Sequence, residues 1–412
     1  MRVPPTGYVS PSSAYRMFRF GAIKKHREPK AMSVGGSDGR TTLAAMTDGR
    51  DSAPSACSAA FTLSPREESV IGHEALYAAT MKCRKNVGWK WSVQNYTAHA
   101  IENVVKLARD LASGRYKEGR THAVHITYPK KREALAISFR DRTYQRSLND
   151  NALYPQMTHG FIWSNLACQK GKGTTAARTA FRAMLHRAFL KYGTNKFQIL
   201  SSDIKGYYDN MRHDVTKSLI EKRCDAWTAK AAIDTLERQY RFRGDKGYNP
   251  GSQMVQIAGI SYLDPFDHFT KEVLRRKLHL RYMDDTKTIG APDEDMEAVR
   301  AKMDGELAKV GLWFHPEKTK IATADKGAVF LGFVFKVDAK GKVLMFRDPK
   351  KVKEIRRRMR RMVNKVKRGE IPATTLDASY QCVRACMEEG NSARLLRNMD
   401  DFYNSLKGEL AA

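Results

Sequence analysis

Two groups of acidic residues follow apolar segments that are far apart in the chain. The segment RYMDDTKTIG (281–290) places Asp284 and Asp285 side by side, after apolar residues at alternate positions. The segment FQILSSDIKGYYD places Asp203 at the end of a second apolar run. Clustered carboxylates raise one another's pKa unless a cation neutralises them. Because the end of a buried strand holds a side chain rigidly, this pattern predicts a cation-binding site.

A divalent metal ion is the cation that such a site would hold. Mg²⁺ prefers hard oxygen ligands, and Mn²⁺ accepts the same donors. Two such ions can activate an attacking hydroxyl and stabilise the leaving oxygen of an in-line phosphoryl displacement. An isolated Asp-Asp pair would more simply be a surface turn. The combination of Tyr-x-Asp-Asp with an upstream Asp-x-x-x-Tyr-Tyr favours phosphoryl-transfer chemistry.

Short strands and amphipathic helices would position these acids. Alternating apolar residues predict one hairpin in THAVHITYPKKREALAISF, turning at residues 129–131, and another in AVFLGFVFKVDAKGKVLMF, turning at Lys340 and Gly341. The segment TAHAIENVVKLARDLASG predicts a helix that ends at Gly114. Its apolar face would consist of Ile101, Val104, Val105, Ala108 and Leu111.

The charge of the chain indicates a polyanionic partner. Lys and Arg number 73 against 44 Asp and Glu, which gives a net charge of +29 and a pI near 9.9. Nucleic acid is the first candidate and an anionic membrane surface the second. No apolar run of about 18 residues occurs, so we expect no membrane span. The six cysteines form no Cys-x-x-Cys pair, which favours reduced thiols in a cytoplasmic protein over a zinc site.

The strongest basic segment is RDPKKVKEIRRRMRRMVNKVKR (347–368), which has twelve Lys or Arg residues and two acids. Apolar residues recur in it at helical spacing, so it predicts an amphipathic helix with a basic outer face. A solvated charged face is the alternative interpretation. Because the like charges are so dense, we favour a phosphate backbone as their partner. The residues predicted to contact it are Arg356, Arg357, Arg360 and Arg361.

Several motifs, in a fixed order over roughly residues 85–345, resemble those of reverse transcriptases. The resemblance is to the compact bacterial enzymes of diversity-generating retroelements, retrons and phage-defence systems. The motifs are, in chain order, PKKREALAISFRDRTYQR, FIWSNLACQKGKGT, DIKGYYD, GYNPGSQMVQ, YMDD, GLWFHPEKTKI and FLGF. An order of this kind is far more specific than YMDD alone.

This resemblance implies roles for the acids. Asp203 and Asp284 would bind two Mg²⁺ ions, with the backbone carbonyl of Ile204 as a further ligand. Asp285 would support the site electrostatically or act as a ligand itself. Lys318 would be the general acid for pyrophosphate, although a solvated loop charge is the alternative interpretation of this lysine.

The resemblance also implies residues that bind the nucleotide. Lys130 and Arg132 would reach the triphosphate, the alternative being charges that keep a hairpin turn soluble. Tyr208 would be the steric gate that rejects a 2′-hydroxyl, a role compatible with a place in the core. Gly251 would let the backbone approach the primer-template or the nucleotide, and Gln256 would begin the supporting helix.

The sequence departs from the family pattern at three positions. Gln169 stands where the family often has Arg, so Lys170 and Lys172 would supply phosphate contacts instead. Pro250 precedes Gly251 where many relatives have Gln or an aliphatic residue. Val255 replaces the usual small hydroxyl residue before Gln256. The resemblance implies that the residue before Gly251 contacts the nucleotide, so Pro250 puts substrate selection and fidelity in question.

The resemblance implies an α+β right-hand polymerase. We expect a low-complexity, disordered tail (1–65), N-terminal helices and fingers (66–195), a palm with an antiparallel sheet and helices on one face (196–345), and a helical basic thumb (346–412). It would be an RNA-directed DNA polymerase of a bacterial retroelement or antiphage defence system, acting in the cytoplasm on dNTPs and a dedicated non-coding RNA template. The alternatives are a template-independent or RNA-synthesising nucleotidyltransferase, and a non-catalytic RNA-binding scaffold.

Overall fold

A computed structural model of the chain describes residues 62–126, 132–240, 244–249 and 251–411. For Arg132 and Glu133 it describes the backbone alone. The predicted N-terminal tail lies almost entirely outside the described residues. The chain from Leu63 onward forms a single compact unit.

Helices and short strands alternate along this unit. The elements of the N-terminal half are α1 (Pro65–Ile71), α2 (His73–Arg84), α3 (Trp91–Ala98), α4 (Ala100–Ala112), β1 (His122–Ile126), β2 (Arg132–Ala136), α5 (Phe139–Leu148), α6 (Tyr154–Thr158), α7 (Thr174–Tyr192) and β3 (Gln198–Asp203). Those that follow are α8 (Tyr207–Asn210), α9 (His213–Arg223), α10 (Ala226–Glu237), α11 (Gln253–Tyr262), α12 (Asp264–His268), β4 (His279–Tyr282), β5 (Asp285–Gly290), α13 (Met296–Ala308), β6 (Lys320–Thr323), β7 (Ala328–Phe330), β8 (Phe333–Val337), β9 (Val343–Arg347), α14 (Pro349–Lys367), α15 (Ala373–Met387) and α16 (Ala393–Ala411).

The helix predicted from TAHAIENVVKLARDLASG is α4, but its buried face differs from the predicted one. Ile101 is 73% exposed, whereas Ala100, Val104, Leu107 and Ala108 are buried. These four residues follow the i, i+4, i+7, i+8 spacing of a helix face. Ile101 lies one residue outside this repeat, which places it toward solvent.

The first predicted hairpin is confirmed. Strands β1 and β2 pair antiparallel from His122↔Ala136 to Ile126↔Arg132. The turn that joins them, with Lys130, lies outside the described residues.

The central sheet is antiparallel, with the strand order β4-β5-β3-β6. Strands β4 and β5 form a hairpin in which Tyr282 pairs with Asp285, so Met283 and Asp284 make a two-residue turn. Met283 has φ +58°, a conformation that glycine usually supplies at this place in a hairpin. The turn that carries Asp284 is therefore held in an uncommon backbone conformation.

Apolar residues cover both faces of this sheet, whereas the sequence predicted helices on one face only. Leu200 points into a core that includes residues of the N-terminal helices and of α9–α13. Ile199 and Ile289 point the other way, into a core shared with α7 and with the sheet β7-β8-β9. Because side chains alternate along a strand, Asp203 and Asp285 emerge on the same face as Ile199 and Ile289.

The basic segment forms α14, as predicted, and packs with α15 and α16 around Met359 and Val363. Arg178 of α7 forms an ion pair with Glu389, and the amide of Met345 donates to the side chain of Asn391 over 2.8 Å. These contacts join the three C-terminal helices to the rest of the unit. None of the helices in the described part of the chain is long and apolar enough to span a membrane.

Candidate active site and nucleic-acid surface

The three predicted acids meet at one corner of the central sheet. Asp203, the last residue of β3, is the register partner of Asp285, the first residue of β5. The amide of Ile204 donates to the carbonyl of Asp284 over 3.2 Å. Strand pairing therefore brings together acids that are separated by about 80 positions in the sequence, as the resemblance to reverse transcriptases implies.

Burial and mutual repulsion shape the electrostatics of this corner. Burial, together with the charges of Asp203 and Asp285, raises the pKa of Asp284 to about 6. Burial also raises the pKa of Asp285, against the opposing charge of Lys287. A carboxyl with a raised pKa is one whose charged form lacks compensation, which is the electrostatic situation that a bound cation would relieve.

Two lysines contact the acids from different sides. The ammonium of Lys318 donates to Oδ2 of Asp203 over 2.7 Å and is largely exposed. Lys287 forms an ion pair with Asp285, is 2% exposed, and lies over the ring of Phe330. The sequence motif singled out Lys318 and missed Lys287. The period of two along β5, which puts residues 285 and 287 on one face, would have revealed Lys287.

The donors at this corner fit a divalent metal ion. They are the carboxylates of Asp203, Asp284 and Asp285, all hard oxygen ligands of the kind Mg²⁺ prefers. Within the described residues, no hydrogen-bond donor reaches the carbonyl of Ile204, the further predicted ligand. Among the described residues, this corner included, no three His, Cys, Asp or Glu side chains lie close enough together to hold a metal ion. Lys318 and Lys287 are the cations that contact Asp203 and Asp285.

Tyr208 lies beside this corner. A Cβ added to Gly259 of α11 would come within 3.2 Å of the Tyr208 ring, so the ring rests directly on the backbone of that helix. Burial raises the pKa of its phenol, and Cys168 and Asp284 lie near enough to add to this effect. The ring is half-buried, which fits both the predicted steric gate and a partial place in the core.

Gly251 lies just before α11. Gln256 lies in the first turn of α11, which begins at Gln253. A Cβ at Gly251 would meet no atom closer than the Leu135 carbonyl, at 3.9 Å. The protein itself therefore leaves space at this glycine, as a backbone that faces a substrate would require. Gln256 is half-buried, and its backbone N–H donates to the carbonyl of Ser252.

Lys130 and Arg132 are the other two predicted nucleotide contacts. Lys130 lies outside the described residues, as does Pro250. Arg132 begins β2, where its backbone pairs with Ile126.

Lys170 and Lys172 differ in their surroundings. Lys170 is exposed, with its ammonium 5.3 Å from the centre of the Tyr154 ring. The ammonium of Lys172 donates to the carbonyls of Trp163 and Asn165 and to the side chain of Gln169, at 2.9–3.0 Å. Burial lowers the pKa of Lys172. This arrangement favours a role in shaping the loop, so the predicted phosphate contact of Lys172 has less support than that of Lys170.

The four predicted arginines of α14 also divide into two pairs. Arg357 and Arg361 are exposed. Arg356 and Arg360 lie over the ring of Phe402 in α16, and Arg356 is half-buried beside the sulfur of Met399. The outward pair is the better candidate for contact with a phosphate backbone.

Comparison with known proteins relates this part of the chain to a known family. Residues 135–335 match the family model described as "Reverse transcriptase (RNA-dependent DNA polymerase)". The match begins in β2, ends in β8 and includes all three acids. A search among curated proteins found no significant relative. The matched domain makes the protein an RNA-directed DNA polymerase, a nucleotidyltransferase that uses an RNA template and dNTPs and makes DNA.

Proposed function

We propose that this RNA-directed DNA polymerase belongs to a bacterial retroelement or antiphage defence system and copies a dedicated non-coding RNA. The motifs FIWSNLACQKGKGT and GYNPGSQMVQ, which resemble those of compact bacterial reverse transcriptases, support this assignment. The net charge of +29 supports a bound RNA, because each phosphate that a Lys or Arg neutralises releases counterions and so strengthens binding. The cytoplasm is the compartment where such an RNA and dNTPs meet.

The convergence of Asp203, Asp284 and Asp285 is the observation that carries the proposed mechanism. Asp203 and Asp284 would hold Mg²⁺, or Mn²⁺, with Asp285 close by. When bound, the ions supply Lewis-acid activation of the primer hydroxyl and stabilise charge on the leaving oxygen. The primer 3′-hydroxyl would lose its proton to solvent water as its oxygen forms a bond to the α-phosphorus of the dNTP, and the bond from that phosphorus to pyrophosphate would break.

The remaining residues position the reactants and handle one proton. Lys318 holds a proton at its ammonium, adjacent to Asp203, and would donate it to the departing pyrophosphate. Tyr208 would contact the sugar and exclude a 2′-hydroxyl. Arg357 and Arg361 would hold the duplex by its backbone. Orientation of this kind supplies much of the rate acceleration in phosphoryl transfer.

Identification of the bound nucleic acid tests the biological part of this proposal. The full-length protein is purified from its native host, and the nucleic acid that accompanies it is sequenced. One abundant non-coding RNA, encoded near the gene, is the expected result. An unselective mixture of cellular RNAs would contradict a dedicated template.

Synthesis assays with that RNA test the chemical part. The purified protein is supplied with dNTPs or NTPs, with and without the RNA. We expect DNA complementary to the RNA, formed only when RNA and dNTPs are both present. Products that do not depend on RNA, or that require NTPs, would indicate the template-independent or RNA-synthesising alternatives. Full biological activity of an Asp284→Ala, Asp285→Ala variant would indicate a non-catalytic scaffold.

A further inference from the structure

Arg281 is the largest fully buried side chain in the described part of the chain, and it lies in the strand that leads to the catalytic turn. Its partner is Asp267 of α12, which is also fully buried. The guanidinium makes a two-pronged contact, with Nε 2.8 Å from Oδ1 and Nη2 2.7 Å from Oδ2 of that carboxylate. A buried ion pair with such geometry is oriented as well as neutralised.

The other guanidinium donors connect this pair to two further segments. Nη2 donates to the carbonyl of Ile260 in α11 over 2.9 Å. Nη1 donates to the carbonyl of Met283 over 3.0 Å. One side chain therefore links α11, α12 and the turn between β4 and β5.

The bond to Met283 acts directly on Asp284. The Met283 carbonyl belongs to the peptide that enters Asp284, and the Asp284 carbonyl, which accepts from the Ile204 amide, belongs to the peptide that leaves it. The peptides on both sides of the catalytic aspartate are therefore fixed by a hydrogen bond. Because Met283 has φ +58°, the turn needs such contacts to hold its uncommon conformation.

We propose that Arg281 is a positioning residue for Asp284, and that Asp267 orients Arg281 for this task. Neither side chain is assigned a contact with substrate or metal; both act through the backbone of the turn. This inference deepens the proposed mechanism and rests on it. If the Arg281–Asp267 pair served only the architecture of the fold, well-packed apolar residues of similar volume could replace it without loss of activity. If the pair positions Asp284, the same replacement should reduce activity.

The test uses a double variant, since removing one partner alone would leave an uncompensated buried charge. Arg281→Met with Asp267→Leu removes both charges and the contact to Met283. The matched control is Arg223→Met with Asp264→Leu. Asp264 also lies in α12 and is buried, and its ion pair with Arg223 has no contact with the turn.

Two measurements separate positioning from architecture. The first is steady-state primer extension, in which we expect kcat to fall about 100-fold while KM for the dNTP stays within about threefold. The second is amide hydrogen exchange of Ile204 without nucleotide or metal, which we expect to become at least about tenfold faster as the turn loosens. The control should keep kcat and Ile204 exchange close to those of the wild type.

A folded Arg281→Met, Asp267→Leu variant with wild-type kcat and wild-type Ile204 exchange would overturn the proposal, as would equal losses in the control. If the double variant does not melt cooperatively, Arg281→Lys decides the question. It keeps a positive charge opposite Asp267 but cannot also reach both carbonyls, so wild-type kcat in this variant would overturn the proposal. If the wild-type protein makes no DNA, the proposed function fails, and Ile204 exchange still reports on the positioning.

Discussion

The acidic corner of the central sheet and the outer face of α14 use the same basic residue types in opposite ways. At the corner, Arg281 and Lys287 are buried and hold a backbone carbonyl and a carboxylate. On α14, Arg357 and Arg361 point into solvent from a helix whose core is formed by Met359 and Val363. A buried cation is costly unless all its donors are used, whereas an exposed one remains available to a phosphate backbone. The net charge of +29 therefore includes cations that serve the fold as well as cations that remain exposed to solvent.

The largest expected effect lies at Asp284, in the acidic corner. Asp284→Asn removes the charge of a proposed metal ligand, so we expect kcat for primer extension to fall by about 1,000-fold or more, equivalent to about 4 kcal/mol. Affinity for the primer-template should stay near that of the wild type. Asp293→Asn, a change in an exposed loop, is the control, and a similar loss in that variant would show that the effect is not specific to the corner.

The same substitution should stabilise the metal-free protein. The pKa of Asp284 is about 6 in the folded state, against 3.8 ordinarily. The folded state then binds more protons than the unfolded state between about pH 4 and 6, so the wild-type free energy of unfolding falls as pH rises through that window. In EDTA at pH 7.5, Asp284→Asn should gain up to about 3 kcal/mol in urea unfolding and lose this gain near pH 4. A gain that is independent of pH would contradict this explanation.

Removal of the buried lysine should be costly to the fold. Lys287→Met leaves Asp285 without its partner at a partly exposed position, so we expect a loss of about 2 kcal/mol in the free energy of unfolding. Lys336→Met, on an exposed position of β8, is the control and should change stability by less than about 0.5 kcal/mol. Equal effects in the two variants would mean that the burial of Lys287 has no energetic consequence.

The smallest effect on stability, and the clearest effect on binding, is expected at α14. Arg357→Gln with Arg361→Gln should leave the free energy of unfolding within about 0.5 kcal/mol of the wild type. The slope of log affinity for primer-template against log salt concentration should fall by about 2. Arg356→Gln, which loses its packing on Phe402, should affect stability more than the salt slope. The reverse pattern would show that Arg356, and not Arg357 with Arg361, contacts the phosphate backbone.

The sequence was sufficient for features that depend on local pattern. The convergence of Asp203 with Asp284 and Asp285 follows from acids at the ends of strands that share one sheet, and the amphipathic α14 follows from its spacing. The Arg281–Asp267 pair could not be predicted in the same way, because it depends on the path of the chain between α12 and β4. The inward orientation of Lys172 depends likewise on the three carbonyl and amide oxygens that its loop happens to present. The period of two in Asp285-Thr286-Lys287 places residues 285 and 287 on one face of the strand, so the sequence carries a usable signal for Lys287.

The most direct test of the central claim is a primer-extension assay on an RNA template with the purified full-length protein, dNTPs and Mg²⁺. Asp284→Asn is measured in parallel, with proof that the variant is folded. We expect the wild type to extend the primer with DNA complementary to the RNA and the folded variant to extend it about 1,000-fold more slowly or not at all. Extension by Asp284→Asn at the wild-type rate would contradict the assignment of the acidic corner as the catalytic centre.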